Sequence, residues 1–191
     1  MHKNLSTLLE IGGSPSLDLH EFGVHFLAGD INVESSSEAI RFILEANLQE
    51  NPPFDHLTLV INSPGGAFED GFALIDIMQG SKLPVRTVGI GIIASMGLLI
   101  FLNGEKGSRI LTPNTLIMSH QWGGGMAGKE HELVASHKEH EIVTNIVLRH
   151  YKKHTGLKER DIRKYLLPPH DVWLTAKEAL EMGICDQIKL I

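Results

Sequence analysis

Ser95 stands in Ala94-Ser95-Met96-Gly97, between a strand-like run and a strongly apolar one. A serine placed where a strand gives way to a helix sits beside backbone N–H groups that have no intrahelical acceptor. The field at a helix start also favours a developing negative charge, so the N–H of Met96 is suited to stabilising an oxyanion. Taken alone the same residue reads better as a mere N-cap. Two further features point to chemistry. Asn62-Ser63-Pro64-Gly65-Gly66 forms a second strand-to-helix junction whose glycines let backbone N–H groups approach a ligand. His120 ends the strand-like segment 115–119 and is the residue type suited to general-base work near neutral pH. Asp171 precedes the closing unit of the chain and could orient the imidazole, as the base of a serine nucleophile requires. The chemistry expected of such a set is acyl transfer through a covalent serine intermediate.

The elements that must position these residues follow from local signals. Residues 23–28 and 57–61 read as strands, the first ending at the turn Gly29-Asp30 and the second breaking at residues 62–66. Between them, Ser35, Ser36 and Ser37 offer N-caps for a helix carrying Ala39, Ile40, Phe42, Ile43 and Leu44, stopped by Pro52-Pro53. Residues 68–78 read as a helix, 84–90 as a strand, and a helix runs from Ser95 to the stop at Asn103-Gly104. Short strands at 109–111 and 115–119 flank Pro113-Asn114. A long helix spans roughly 129–154 and closes at Gly156; a strand-and-helix unit at 171–191 follows, with Thr175 as cap and Gly183 as stop. Strands alternating with helices over short loops imply an α/β chain with a parallel sheet and right-handed crossovers. The strand ends bearing residues 62–66, Ser95 and His120 then emerge at one edge.

The long helix divides in two. Ile142, Val143, Ile146, Val147 and Tyr151 make an ordinary core stripe, whereas the half before them carries little beyond Leu133, Val134 and Ala135. A half with so little to bury projects from the domain, either solvated or as a subunit contact.

Other motifs carry less. Gly123 to Lys129 has the glycine and lysine spacing of a phosphate loop, but Glu130 stands where a hydroxyl should bind magnesium. Gly89-Ile90-Gly91-Ile92-Ile93-Ala94 matches a dinucleotide fingerprint but lacks the acidic residue that should end the following strand, so close packing explains it better. Five of the 11 histidines fall between His131 and His154, and the pairs His137/His140 and His150/His154 share helical spacing without a clear carboxylate ligand set. They are expected on exposed helix surface.

Composition narrows the class. The 191 residues suit one domain, with an apolar share of 42% and a charged share of 21%. A net charge of −6 argues against phosphate-driven nucleic-acid binding. The single cysteine, Cys185, excludes an internal disulfide framework and fits a reducing, cytoplasmic compartment. No signal-peptide core stands out before Ser16, and the apolar run 89–102 is shorter than the roughly 20 residues of a spanning helix. No membrane association is expected.

Four segments together resemble the proteolytic subunits of the Clp proteases, a family of self-compartmentalising serine peptidases: Ile61 to Gly66, Ala94 to Gly97, Met118-Ser119-His120-Gln121, and Asp171 to Ala179. Their order and spacing fit over roughly residues 23–188. The resemblance implies an α/β spiral of repeated β-α units of the Clp-protease (ClpP) and crotonase type, as a single domain over 1–191. Residues 1–22 would be a variable N-terminal segment and about 123–154 a projecting handle. It implies a Ser95, His120 and Asp171 triad and an oxyanion hole from the backbone of Gly66 and Met96. Substrate would lie as an added strand between Gly66, Ala67 and Phe68 on one side and Trp122, Gly123 and Gly124 on the other. Two stacked heptameric rings, a homo-oligomeric tetradecamer, would enclose the chamber, fed with unfolded polypeptide by an ATP-driven unfoldase of the AAA+ type. No metal or cofactor is needed. The chain departs from the family in having Trp122 where proline usually follows His-Gln, and Pro169-His170 where an acidic–Arg pair used between rings usually stands. Its segment before Gly23 is also shorter. The alternatives are an acyl-CoA enzyme of the crotonase type, which would want carboxylates at the site, and a catalytically silent ring subunit.

Overall fold

Alternation of apolar residues builds the first strands. In a computed structural model, which describes residues 18–123 and 127–191, β1 (Val24–Ile31) buries Leu27 and Ile31. β2 (Leu57–Gly66) buries every second residue from Leu57 to Gly65, the period of a strand with one covered face. β3 (Val85–Ala94) runs parallel to β2, as β2 does to β1, with Leu27 opposite Ile61 and Val60 opposite Val88.

The strands outrun their expected ends at Ile61 and Ile90. Pro-Gly-Gly is a turn signal locally, but β1 continues beside it, pairing Asp30 with Gly65 and Ile31 with Gly66. Pro64 falls within the register shift between Ala28 and Asp30, where its missing N–H interrupts no ladder bond. β3 persists because it changes partner midway. Its first half pairs with β4 (Arg109–Leu111), its second with β5 (Leu116–Ser119). Asn62 Oδ1 accepts from Ile92 N–H at 3.1 Å where the exchange occurs. The fingerprint-like glycines at 89 and 91 therefore lie inside a strand and not in a phosphate-binding turn.

Helices cover the sheet. α1 (Val33–Leu48) buries Ala39, Phe42, Ile43 and Ala46. Its cap is Asn32, ahead of the expected serines: Asn32 Oδ1 accepts from Ser35 N–H at 3.0 Å and Ser35 Oγ from Asn32 N–H at 3.1 Å. α2 (Phe68–Gln79) contributes Leu74, Ile75 and Met78 to the same core. Every residue of α3 (Met96–Leu102) is buried, the signature of a helix enclosed on all sides. The apolar run 89–102 is thus half strand and half central helix, and among the described residues no helix is long and apolar enough to cross a membrane.

α4 (Glu130–Thr155) runs from Lys129 to its stop at Gly156, close to the expected span. Residues 130–142 are exposed except the half-buried Ser136, whereas Val143, Leu148, His150 and Tyr151 are buried. α5 (Glu159–Tyr165) follows, then β6 (Val172–Leu174), α6 (Ala176–Glu181) with its Thr175 cap, and β7 (Gln187–Ile188) parallel to β4. Arg109, only 1% exposed, fastens this last unit. Its Nη2 donates to Asp186 Oδ1 at 2.6 Å and its Nε to Oδ2 at 2.8 Å.

β6 departs from the all-parallel expectation. It runs antiparallel to β5, with Ser119 opposite Val172 and Met118 opposite Trp173. Only this reversal brings the start of a late strand to the edge where β3 and β5 end.

Candidate active site

Ser95 is the N-cap residue of α3, yet its side chain makes no cap hydrogen bond. Its φ of 52° is the one left-handed value of a non-glycine among the described residues. Such backbone costs of order 1–3 kcal/mol and persists only where its surroundings hold it. Here the Ser95 N–H donates to Met118 O at 3.0 Å, and Leu99 N–H donates to Ser95 O at 3.2 Å. Gly65, at φ 107°, passes so close that a Cβ there would lie 2.6 Å from Ser95 Cβ. The side chain so freed meets the imidazole of His120, with Oγ 2.8 Å from Nε2.

His120 is held from both sides along the chain. Ser119 Oγ donates to Leu166 O at 2.6 Å, and the Tyr151 hydroxyl lies 2.7 Å from the same Oγ, placed to donate to it. Gln121 Nε2 donates to Leu167 O at 2.9 Å. The segment entering Asp171 is thereby tied to the strand end bearing the imidazole. Continuing the β5–β6 pairing by one residue sets His120 against Asp171, whose Oδ1 stands 3.6 Å from Nδ1. That carboxylate is 58% exposed and the imidazole 31%.

A cavity of about 230 Å³ opens beside the pair. Gly66, Met96 and Gly123 line its mouth with Ser95 and His120. Met96 occupies the first helical position, where an N–H has no intrahelical acceptor. The remaining wall is apolar or aromatic, with Phe68 and Phe72 from α2, Leu99 from α3, and Val143, Val147 and Tyr151 from α4. No carboxylate lines it among the described residues. Burial pushes the Tyr151 phenol up to about 12, against the opposing pull of its bond to Ser119, so it stays protonated as a donor.

The residues singled out from the sequence therefore mostly converge. Ser95, His120, Gly66, Met96, Phe68, Trp122 and Gly123 share the cavity, while Asp171 stands behind the imidazole. Ala67 does not line it: its N–H donates to Ile31 O at 2.8 Å and its carbonyl accepts from Gly71 at 3.2 Å. Gly124 lies outside the described residues, as do Gly125 and Met126 of the phosphate-loop-like stretch. Missed were Val143, Val147 and Tyr151, whose four-residue spacing reads equally as core stripe or pocket wall, and Ser119.

The histidines of α4 meet other partners. Among the described residues no group of three or more His, Cys, Asp or Glu is placed to bind an ion. His137 faces Glu141 at 3.6 Å, and His140 stacks on Trp122 with ring centroids 4.6 Å apart. His150, expected at the surface, is buried, its ring 5.9 Å from Phe72 and 6.4 Å from His154. Cys185 is buried, which pushes its thiol up to about 11 and leaves it unreactive.

The model of the family described as Clp protease matches residues 18–190. Over 132 residues the chain is 40% identical to the ATP-dependent Clp protease proteolytic subunit 2 of Thermobifida fusca. That alignment covers 69% of this chain and 64% of the relative, so the chain spans somewhat under two thirds of that protein's length. A family match over nearly all the described residues, on a mostly parallel α/β fold, leads to one conclusion: the chain belongs to the Clp protease family.

Proposed function

We propose that this chain is a serine endopeptidase subunit that cleaves unfolded polypeptides through an acyl-enzyme. The observation that carries the reading is the 2.8 Å contact between Ser95 Oγ and His120 Nε2 at the mouth of an otherwise apolar cavity. Ser95 Oγ attacks the peptide carbonyl while His120 Nε2 takes its proton, and the N–H groups of Gly66 and Met96 receive the oxyanion. The C–N bond then breaks as His120 returns the proton to the leaving amine. Water, deprotonated by the same imidazole, hydrolyses the ester and restores Ser95. Asp171 steadies the imidazolium through Nδ1. No metal or cofactor enters these steps.

Substrate backbone would lie as an added strand beside residues 66–68 on one side and the segment that follows His120 on the other. The exposed half of α4 presents Leu133 at 43%, Val134 at 66% and Ile142 at 49% exposure, which supports a contact with further copies of the chain. Two stacked heptameric rings fed by an AAA+ unfoldase are the assembly that family membership favours. A lone buried thiol fits a cytoplasmic setting.

The test pairs active-site labelling with peptide cleavage. A fluorophosphonate should label Ser95, and a fluorogenic peptide should be cleaved by the wild type but not by Ser95→Ala, with a loss on the order of 10⁶ in kcat. Folded wild type that takes no label, or cleavage that survives Ser95→Ala, overturns the assignment.

A further inference from the structure

Trp122 lies between two cavities. On one side is the space of about 230 Å³ that holds Ser95 and His120, and beyond the indole is a hollow of about 120 Å³ reached by His140, Thr144 and Arg163. Trp122 and Val147 are the residues common to both linings, so they form the partition. Ring packing is what holds the indole. Phe68 approaches at 5.5 Å between centroids from the Ser95 side, and His140 stacks at 4.6 Å from the other. The buried Nε1 of Trp122 has no hydrogen-bond partner among the described residues. A buried Trp N–H usually has one, so among the described residues ring packing is what sets this indole's plane.

We propose that Trp122, backed by His140, is the specificity-determining partition of the Ser95 site, limiting the size of the substrate side chain beside the attacked carbonyl. This rests on the peptidase reading above. A dry cavity of about 150 Å³ takes up benzene. One of about 230 Å³ therefore has room for an aliphatic or single-ring side chain together with part of the backbone that bears it. A bicyclic side chain has that room only if the second hollow joins the first. The class of substrate is thus a polypeptide cut after aliphatic residues or phenylalanine, with tryptophan discriminated against. His140 belongs to the projecting half of α4, so the limit is set partly by an element outside the domain body.

The experiment compares kcat/KM for peptides that differ only in the residue whose carbonyl is attacked: Leu, Phe or Trp. Wild type should cleave the Leu and Phe peptides at least about tenfold better than the Trp peptide, a discrimination that a single methylene can already give in a hydrophobic pocket. Trp122→Ala should raise the Trp-to-Leu ratio at least about tenfold by joining the cavities. His140→Ala, an exposed change away from Ser95, should move the ratio the same way by a smaller factor. A ratio unchanged in both variants, with all three peptides slowed in parallel, overturns the partition. A wild type that takes up fluorophosphonate and cleaves the Leu peptide leaves the peptidase reading standing whichever way the ratio falls.

Discussion

His120 Nδ1 and Asp171 Oδ1 stand 3.6 Å apart, beyond hydrogen-bond length, although the two residues are set against each other by the β5–β6 pairing. The Ser95 side of the imidazole is already closed at 2.8 Å. The looser side is also the wetter one, because the Asp171 carboxylate is 58% exposed and water competes for its oxygens.

Asp171→Asn should consequently cost less than the loss of about 10⁴ in kcat seen when a buried triad aspartate is so changed. A reduction nearer about 10² is expected for the free chain's geometry, with KM little altered. Steady-state kinetics on the purified variant would check it. A loss equal to that of Ser95→Ala would show that the carboxylate is indispensable and that the gap closes in the working particle.

Gly65→Ala strikes the other end of the site. The added Cβ would lie 2.6 Å from Ser95 Cβ and 3.0 Å from Ala94 O, on a backbone with φ of 107° that side chains rarely adopt. Ser95 must shift, and it is already held in a left-handed conformation. The variant should lose roughly 1–3 kcal/mol of stability and at least about 100-fold in fluorophosphonate labelling rate. Labelling at the wild-type rate would show that the close approach of Gly65 does not position the nucleophile.

These two sites mark what sequence made legible. Ser95, His120 and the Gly65-Gly66 turn stand out because residue type and strand-end position coincide, and both are local. Asp171 carried the right residue type but no indication of place, since reaching His120 depends on β6 running against the other strands. Val143, Val147 and Tyr151 looked like core because a pocket wall and a core face share one helical spacing. β2 and β3 outrun Ile61 and Ile90 for a similar reason. Gly-rich punctuation is local, and the continued pairing to β1 and β5 that overrides it is not.

The Arg109–Asp186 pair was invisible in sequence, and its removal should be costly. Burial by itself would raise the Asp186 carboxyl, but the hydrogen bonds from the Arg109 side chain and backbone and from Gly107 hold it below the ordinary carboxylate value. Asp186→Asn would leave a guanidinium that is 1% exposed without its counter-charge. A loss of about 3 kcal/mol is expected, whereas replacing both partners by apolar residues of similar volume should cost less. Urea unfolding of the single and double variants would decide between them, and equal losses would count against the uncompensated-charge account.

The buried His150 and half-buried His154 of α4 give the protein an acid sensitivity whose sign follows from their surroundings. His154 is held down from 6.5 to about 4, chiefly by burial and then by Lys153, Arg109, His150 and Lys106, and His150 is lowered too, again mainly by burial. The lowered folded value means that the unfolded chain binds the proton first. Above about pH 6.5 both states are neutral and the histidine changes nothing. As pH falls from there towards about 4, stability is lost, and below that the loss is complete. For His154 it amounts to at most roughly 3 kcal/mol. Asp186 adds its own loss only at lower pH, as its depressed carboxyl becomes protonated, and His25 contributes with the same sign as His154. His154→Phe keeps a ring stacked on His150 and removes the titration, and the buried Nε2 it replaces has no hydrogen-bond partner among the described residues to lose. Unfolding free energies measured in urea at about pH 7.5, 6 and 4.5 should fall less steeply for the variant than for the wild type, the gap between the two curves shifting in the variant's favour towards acid. Parallel curves over that range would mean that His154 is reached by water and does not carry the acid sensitivity.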